Sequence, residues 1–145
     1  GYMSLKNSNG AAFLKSKRLF EGNIVVDFTI NMEQTSNFDV ILKNSDSGEN
    51  IEIRTQKDKA CLLKNGKLLE EAKLYNFSTE DRFLTSAKIV KIGNRLKVFL
   101  SDEAGTQRLV IEAEAMDFKG KYSIEARGAP KLQIRQIMIW GKESE

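Results

Sequence analysis

The sequence predicts an all-β fold: an antiparallel β-sandwich of two sheets, of jelly-roll type. Three observations carry that expectation. Apolar and polar residues alternate with a period of two through most of the chain, which marks strands with one buried face. Clusters of turn formers interrupt the alternation at intervals of roughly 8–12 residues, giving about eleven short strands. No stretch requires a helix of any length. At 145 residues the chain fits one domain with a sizeable core. No internal linker divides it, and no repeat of fixed period suggests a solenoid or propeller. Residues 1–9 are expected to form a polar arm or a loosely paired first strand, residues 10–141 the sandwich, and residues 142–145 a frayed tail.

The longest clear strand is Gly22 to Glu33, where Ile24, Val26, Phe28 and Ile30 share one face and Val25, Asp27, Thr29 and Asn31 the other. Before it, Gly10 to Leu14 is a short strand with Ala12 and Leu14 on one side, and Phe20 tucks under the sheet edge. After it, Asn37 to Lys43 turns Phe38, Val40 and Leu42 inward and Asp39 and Lys43 outward. The turn Asn44-Ser45-Asp46-Ser47-Gly48 leads back through Glu49 to Thr55, with Ile51 and Ile53 inward and Glu52 and Arg54 outward, so the pair reads as a hairpin. Asn65-Gly66 joins Ala60–Lys64 to Lys67–Ala72, because both residues tolerate positive φ. Lys73 to Arg82 is a loop with room for a helical turn. Phe83–Ile92 and Arg95–Ser101 form a second tight pair around Gly93-Asn94, with Leu96, Val98 and Leu100 opposite Lys97 and Phe99. Gln107–Ala115 follows, then a loop over Met116–Gly120. Lys121–Arg127 sets Tyr122, Ile124 and Ala126 against Ser123, Glu125 and Arg127. In the closing strand Lys131–Trp140 the apolar positions slip by one between Ile134 and Ile137, which predicts a β-bulge near Arg135-Gln136.

Composition excludes several classes of function. The 23 basic and 20 acidic residues are interleaved and the net charge is +3, so the basic stripe of a nucleic-acid surface is missing. Lys15, Lys17 and Arg18 form the one dense basic run, and a solvated strand end accounts for it. No apolar run approaches the ~20 residues of a membrane span, and no signal peptide is legible. The chain opens Gly1-Tyr2, the form left by tag removal, so a targeting segment or neighbouring domains could have preceded it. Cys61, the single cysteine, cannot form an internal disulfide and is expected in the core beside Leu63. With no histidine, a Ser-His-Asp or Cys-His centre cannot be assembled, and a zinc site of the usual type is excluded. No cofactor is expected. Asn44, Asp46 and Asn50 leave an oxygen-ligand calcium site open, although turn chemistry explains them and their spacing is not that of an EF-hand.

Four landmarks give the chain a familiar order: Gly22-Asn23-Ile24-Val25-Val26-Asp27-Phe28-Thr29-Ile30, the pair Ala87 to Phe99 around Gly93-Asn94, the late strand Lys121 to Gly128, and the closing strand Leu132 to Trp140. In pattern and spacing over residues 10–141 the chain resembles the concanavalin A-like lectin/glucanase superfamily. Within it, the chain is most similar to the sandwich appended to family 32 glycoside hydrolases and to levan-binding modules, with 3-keto-disaccharide hydrolase-like domains second. The resemblance implies glycan binding on a concave sheet or at a loop rim, and a secreted, periplasmic or cell-surface location. The Glu-x-Asp-x-x-Glu motif of laminarinase-like members is absent. The nearest acidic pair, Glu112 and Glu114, reads as solvent-facing.

Sugar recognition needs carboxylates and guanidinium groups that grip neighbouring hydroxyls, usually beside an aromatic platform. The outward-facing candidates are Asp39, Lys43, Glu52, Arg54, Glu125 and Arg127, with Phe99 and Trp140 as aromatic platforms. Glu52-x-Arg54 and Glu125-x-Arg127 repeat one acid-then-arginine pattern, which also suits solvated ion pairs. The expected function is a non-catalytic carbohydrate-binding or accessory domain of a larger polysaccharide-processing protein. Its partners would be a glycan and neighbouring domains, with no nucleic acid and no membrane insertion. The alternatives are a glycoside hydrolase or lyase using exposed carboxylates, and a structural interaction module.

Overall fold

Period-two alternation becomes strand throughout the computed structural model, which describes residues 2–5, 12–31, 37–56, 58–74, 86–102, 104–114, 116, 120–129 and 133–143. In chain order the strands are β1 (Tyr2–Leu5), β2 (Ala12–Lys15), β3 (Phe20–Asn31), β4 (Asn37–Asn44), β5 (Asn50–Gln56) and β6 (Lys59–Lys64). They continue with β7 (Lys67–Lys73), β8 (Ser86–Ile92), β9 (Arg95–Ser101), β10 (Gln107–Ala113), β11 (Tyr122–Ala129) and β12 (Gln133–Glu143). The pairings build two six-stranded antiparallel layers. One runs β10-β9-β8-β3-β12-β1 and the other β2-β11-β4-β5-β6-β7. We call them the β3 sheet and the β4 sheet. They join at one corner, where Tyr122 of β11 pairs with Phe20 of β3.

The core lies between the layers and comes from the inward positions of both. The β3 sheet contributes Ile24, Val26, Phe28, Ile89, Leu96, Val98, Leu100, Ile137 and Ile139; the β4 sheet contributes Phe38, Val40, Leu42, Ile51, Ile53, Leu62, Ile124 and Ala126. Burying each large apolar side chain contributes about 1.5–3 kcal/mol. Phe28 and Phe38 meet edge to face across the layers, with ring centroids 5.5 Å apart at 80°, so central strands of the two sheets are locked together. Polar groups that enter the core end on partners, as burial requires. The Tyr122 hydroxyl donates to the Gly22 carbonyl at 2.7 Å, and Lys91 Nζ donates to the Gly93 carbonyl at 3.3 Å. Ser16 Oγ accepts from the Ile124 amide and donates to the Arg18 carbonyl, which seats the connection between β2 and β3 on β11.

Several expectations shift on this frame. The bulge predicted near Arg135 is present, as a break in the β12–β3 register between Ile134 and Gln136. Phe20 is the first residue of β3, so that strand starts two residues before Gly22. β12 runs on to Glu143, held by Lys142–Glu21 and Arg18–Glu143 ion pairs, and Tyr2–Leu5 pairs with β12. Cys61 is buried but does not face the core: Ala60 and Leu62 do, and Cys61 and Leu63 line the opposite face of the β4 sheet. All four of these β6 residues are apolar, so alternation could not tell the faces apart. Asp27 lies on the outer face of the β3 sheet, where its Oδ1 accepts a hydrogen bond from Gln107 Nε2 at 3.2 Å. The helical turns considered between Lys73 and Arg82 and between Met116 and Gly120 fall largely outside the described residues, as do 83–85.

Candidate functional site

The outer face of the β4 sheet is built from alternate residues of six strands. β11 and β5 both run antiparallel to β4, so they are parallel to each other and their equivalent positions lie level across it. The registers produce two transverse rows. In the first, Phe13 stands opposite Arg127, Arg127 opposite Asp39, Asp39 opposite Arg54, Arg54 opposite Cys61, and Cys61 opposite Glu71. In the second, Lys15 meets Glu125, Glu125 meets Ile41, Ile41 meets Glu52, and Glu52 meets Leu63. Lys43 stands one step further along β4, opposite Ser123.

This face is sheltered. Ser123, Glu125, Ile41, Cys61 and Leu63 all point away from the core, yet each is only 4–8% exposed.

The charges on the sheltered face are organised around Asp39. Arg54 Nη2 lies 2.6 Å from Glu52 Oε2, and Arg127 Nη2 lies 3.7 Å from Glu125 Oε2. Arg127 is also clamped from the sheet edge, with its guanidinium carbon 5.3 Å from the centroid of the exposed Phe13 ring. Asp39 sits between these two Arg–Glu units. Its Oδ1 is a buried side-chain oxygen with no hydrogen-bond partner among the described residues. Desolvation and the nearby Glu52 carboxylate push its pKa up to about 6, against the opposing pull of Arg54 and Arg127. Such an acceptor in a sheltered, charge-lined surface can take a hydroxyl or amide donor.

Six of the eight residues singled out from the sequence therefore share one surface: Asp39, Lys43, Glu52, Arg54, Glu125 and Arg127. Phe99 and Trp140 do not join them. Both point outward, as alternation implied, but from the other layer. Phe99 lies beneath Lys88, whose Nζ is 5.9 Å from the ring centroid, and Trp140 pairs with Val25. Period two reports which face of a strand a residue takes and is silent on which sheet holds the strand. Among the described residues the aromatic group on this face is Phe13, which sequence reasoning passed over. Its signal was an aromatic at an outward position between Ala12 and Leu14.

The acidic pair Glu112 and Glu114 lies away from this surface, on solvent-exposed ground beside Lys97 and Arg95. Asn44 Oδ1 accepts the amides of Asp46 and Ser47 at 2.9 Å, which is turn chemistry. Among the described residues no group of three or more acidic or thiol side chains is placed to hold a metal ion, and no helix is long and apolar enough to cross a membrane.

No family model matches the chain, and no curated protein matches it in sequence. Solved structures do match in fold. The VIP36 exoplasmic/lumenal domain in its Ca2+/Man3GlcNAc-bound form superposes with a TM-score of 0.71 at 11% identity, covering 99% of this chain and 82% of that one. A Bacillus subtilis protein of unknown function with a galectin-like fold gives 0.67 at 12% identity, over 99% and 83%. Carbohydrate-binding module CBM66 from Bacillus subtilis gives 0.57 at 19% identity, over 90% and 83%. The chain has a galectin-like, concanavalin-type β-sandwich fold. At these identities the likeness is one of architecture, and function has to be argued from the site. The finer resemblance to the family 32 appended sandwich or to 3-keto-disaccharide hydrolase-like domains gains nothing from these matches.

Proposed function

We propose that the sheltered face of the β4 sheet binds carbohydrate, and that the chain is a non-catalytic binding or accessory domain of a larger secreted, periplasmic or cell-surface protein that processes polysaccharide. The observation that carries the reading is the row Arg127–Asp39–Arg54, in which two braced guanidinium groups flank a carboxylate oxygen without a donor. Such a row offers donors and an acceptor side by side, the complement of neighbouring sugar hydroxyls, each of which both donates and accepts. Bracing by Glu52, Glu125 and Phe13 reduces the side-chain entropy lost on binding. The lectin and carbohydrate-binding module among the structural neighbours support the same reading by analogy of fold.

Affinity electrophoresis and a glycan array covering fructans, glucans and mammalian glycans test it. Retardation by at least one glycan, lost in Arg54→Ala and Arg127→Ala, is the expected result. Failure of the native protein to bind any glycan at high concentration overturns the reading. One observation favours a second function. A carboxyl raised to about 6 beside a second carboxylate resembles the acid of a glycoside hydrolase, with Asp39 as proton donor and Glu52 as its partner. Release of reducing ends from a bound glycan, abolished by Asp39→Asn, would establish the hydrolase in place of the lectin.

A further inference from the structure

The two Glu-x-Arg units are related by translation. Glu125 and Glu52 lie level on either side of Ile41, and Arg127 and Arg54 level on either side of Asp39. Two strand spacings separate them, about 9–10 Å. The same grip is thus presented twice along a line that crosses the strands, with Asp39 shared between the copies. At one end of this line stands Phe13, more than half exposed at 54% and backed by the Arg127 guanidinium. Beyond Arg54 at the other end the line crosses the apolar pair Cys61 and Leu63 and ends at the charged edge strand, with Glu71 opposite Cys61. Charge along the line is balanced: Lys15, Arg127, Lys43 and Arg54 stand against Glu125, Asp39, Glu52 and Glu71. Both arginines already face a carboxylate, so an anionic sugar would find them partly neutralised.

Resting on the sugar-binding reading above, we infer that the ligand is a neutral oligosaccharide of repeating units that lies across the strands. One unit stacks on Phe13 over β2, and the following units are held by Arg127 with Asp39 and by Asp39 with Arg54. A periodic site of this kind suits a periodic ligand. A monosaccharide satisfies one grip only, and the full line is filled by about three units, given the strand spacing. The aromatic end makes its contribution only when the chain is long enough to reach it.

The test is calorimetric titration of the full chain with glucose, fructose and mannose and with their linear di- to pentasaccharides, alongside oligogalacturonides as the anionic arm. Affinity for the preferred neutral series is expected to climb at least about tenfold from one unit to three, as added grips accumulate, and then to level. Phe13→Ala is expected to weaken trisaccharide binding about three- to tenfold, the size of one aromatic contact, and monosaccharide binding by less, because there it removes only the brace on Arg127. Trp140→Ala, on the other sheet, is expected to change neither. Binding that does not depend on length, a Phe13→Ala effect that is absent or equal at all lengths, or a preference for oligogalacturonides would each overturn this inference while leaving a sugar-binding face. Absence of binding to every probe would instead remove the sugar-binding reading itself, and the inference with it.

Discussion

Burial disfavours the ionised form of Asp39, and that is what makes the residue informative. Its folded-state pKa of about 6 lies above the ordinary value of 3.8 because burial and Glu52 outweigh the two arginines. Between about pH 4 and pH 6 the folded state therefore holds more proton at this carboxyl than the unfolded state does, and stability falls as pH rises through that window. Asp39→Asn is expected to raise stability at pH 7 by on the order of 1 kcal/mol, once the shift is discounted for contact with solvent. The gain should shrink as pH falls through 3.8 and be nearly gone by about pH 3, where both states are mostly protonated; urea denaturation at the two pH values measures it. The same substitution replaces an ionised acceptor by a neutral amide, so glycan binding should weaken about tenfold, the worth of one charge-assisted hydrogen bond. A ligand hydroxyl that donates to Oδ1 favours the ionised carboxylate. Affinity of the native protein should accordingly strengthen from pH 5 to pH 7 and level above that, a profile that Asp39→Asn should flatten.

At the scale of elements, inward and outward positions were legible and sheet membership was not. β4, β5 and β11 alternate cleanly, so Asp39, Glu52, Arg54, Glu125 and Arg127 could be assigned to outer faces from the sequence. That β11 inserts beside β4, over 70 residues away in the chain, is a non-local choice that no local pattern encodes. Phe99 and Trp140 were grouped with the wrong layer for that reason, and Cys61, buried as expected, lies on the outer side of β6, which is apolar on both faces. Turns were easier to read. Asn65 and Gly66 take φ of 52° and 81°, and Asn65 Oδ1 also accepts the Asn50 amide at 2.9 Å. The β6–β7 turn is thus tied to the start of β5. Gly66→Ala would place a Cβ in the left-handed region and is expected to lower stability by about 1–2 kcal/mol, seen as a lower urea midpoint with an unchanged slope.

For the molecule as a whole, the sandwich divides labour between its layers. The inner faces build a shared core in which Phe28 and Phe38 bridge the sheets. Phe28→Ala should cost about 3–5 kcal/mol, a large share of the stability of a domain this size. The outer face of the β3 sheet carries Trp140, Phe99 and Asp27, and the outer face of the β4 sheet carries the Arg127–Asp39–Arg54 row. The most direct test of where ligand binds is a two-dimensional NMR titration with whichever glycan is retained on the array. The shifts are expected to concentrate on the amides of Phe13, Arg127, Asp39 and Arg54 and their strand neighbours. Shifts confined to Val25, Lys88, Phe99 and Trp140 would place binding on the opposite sheet and contradict the assignment of the site.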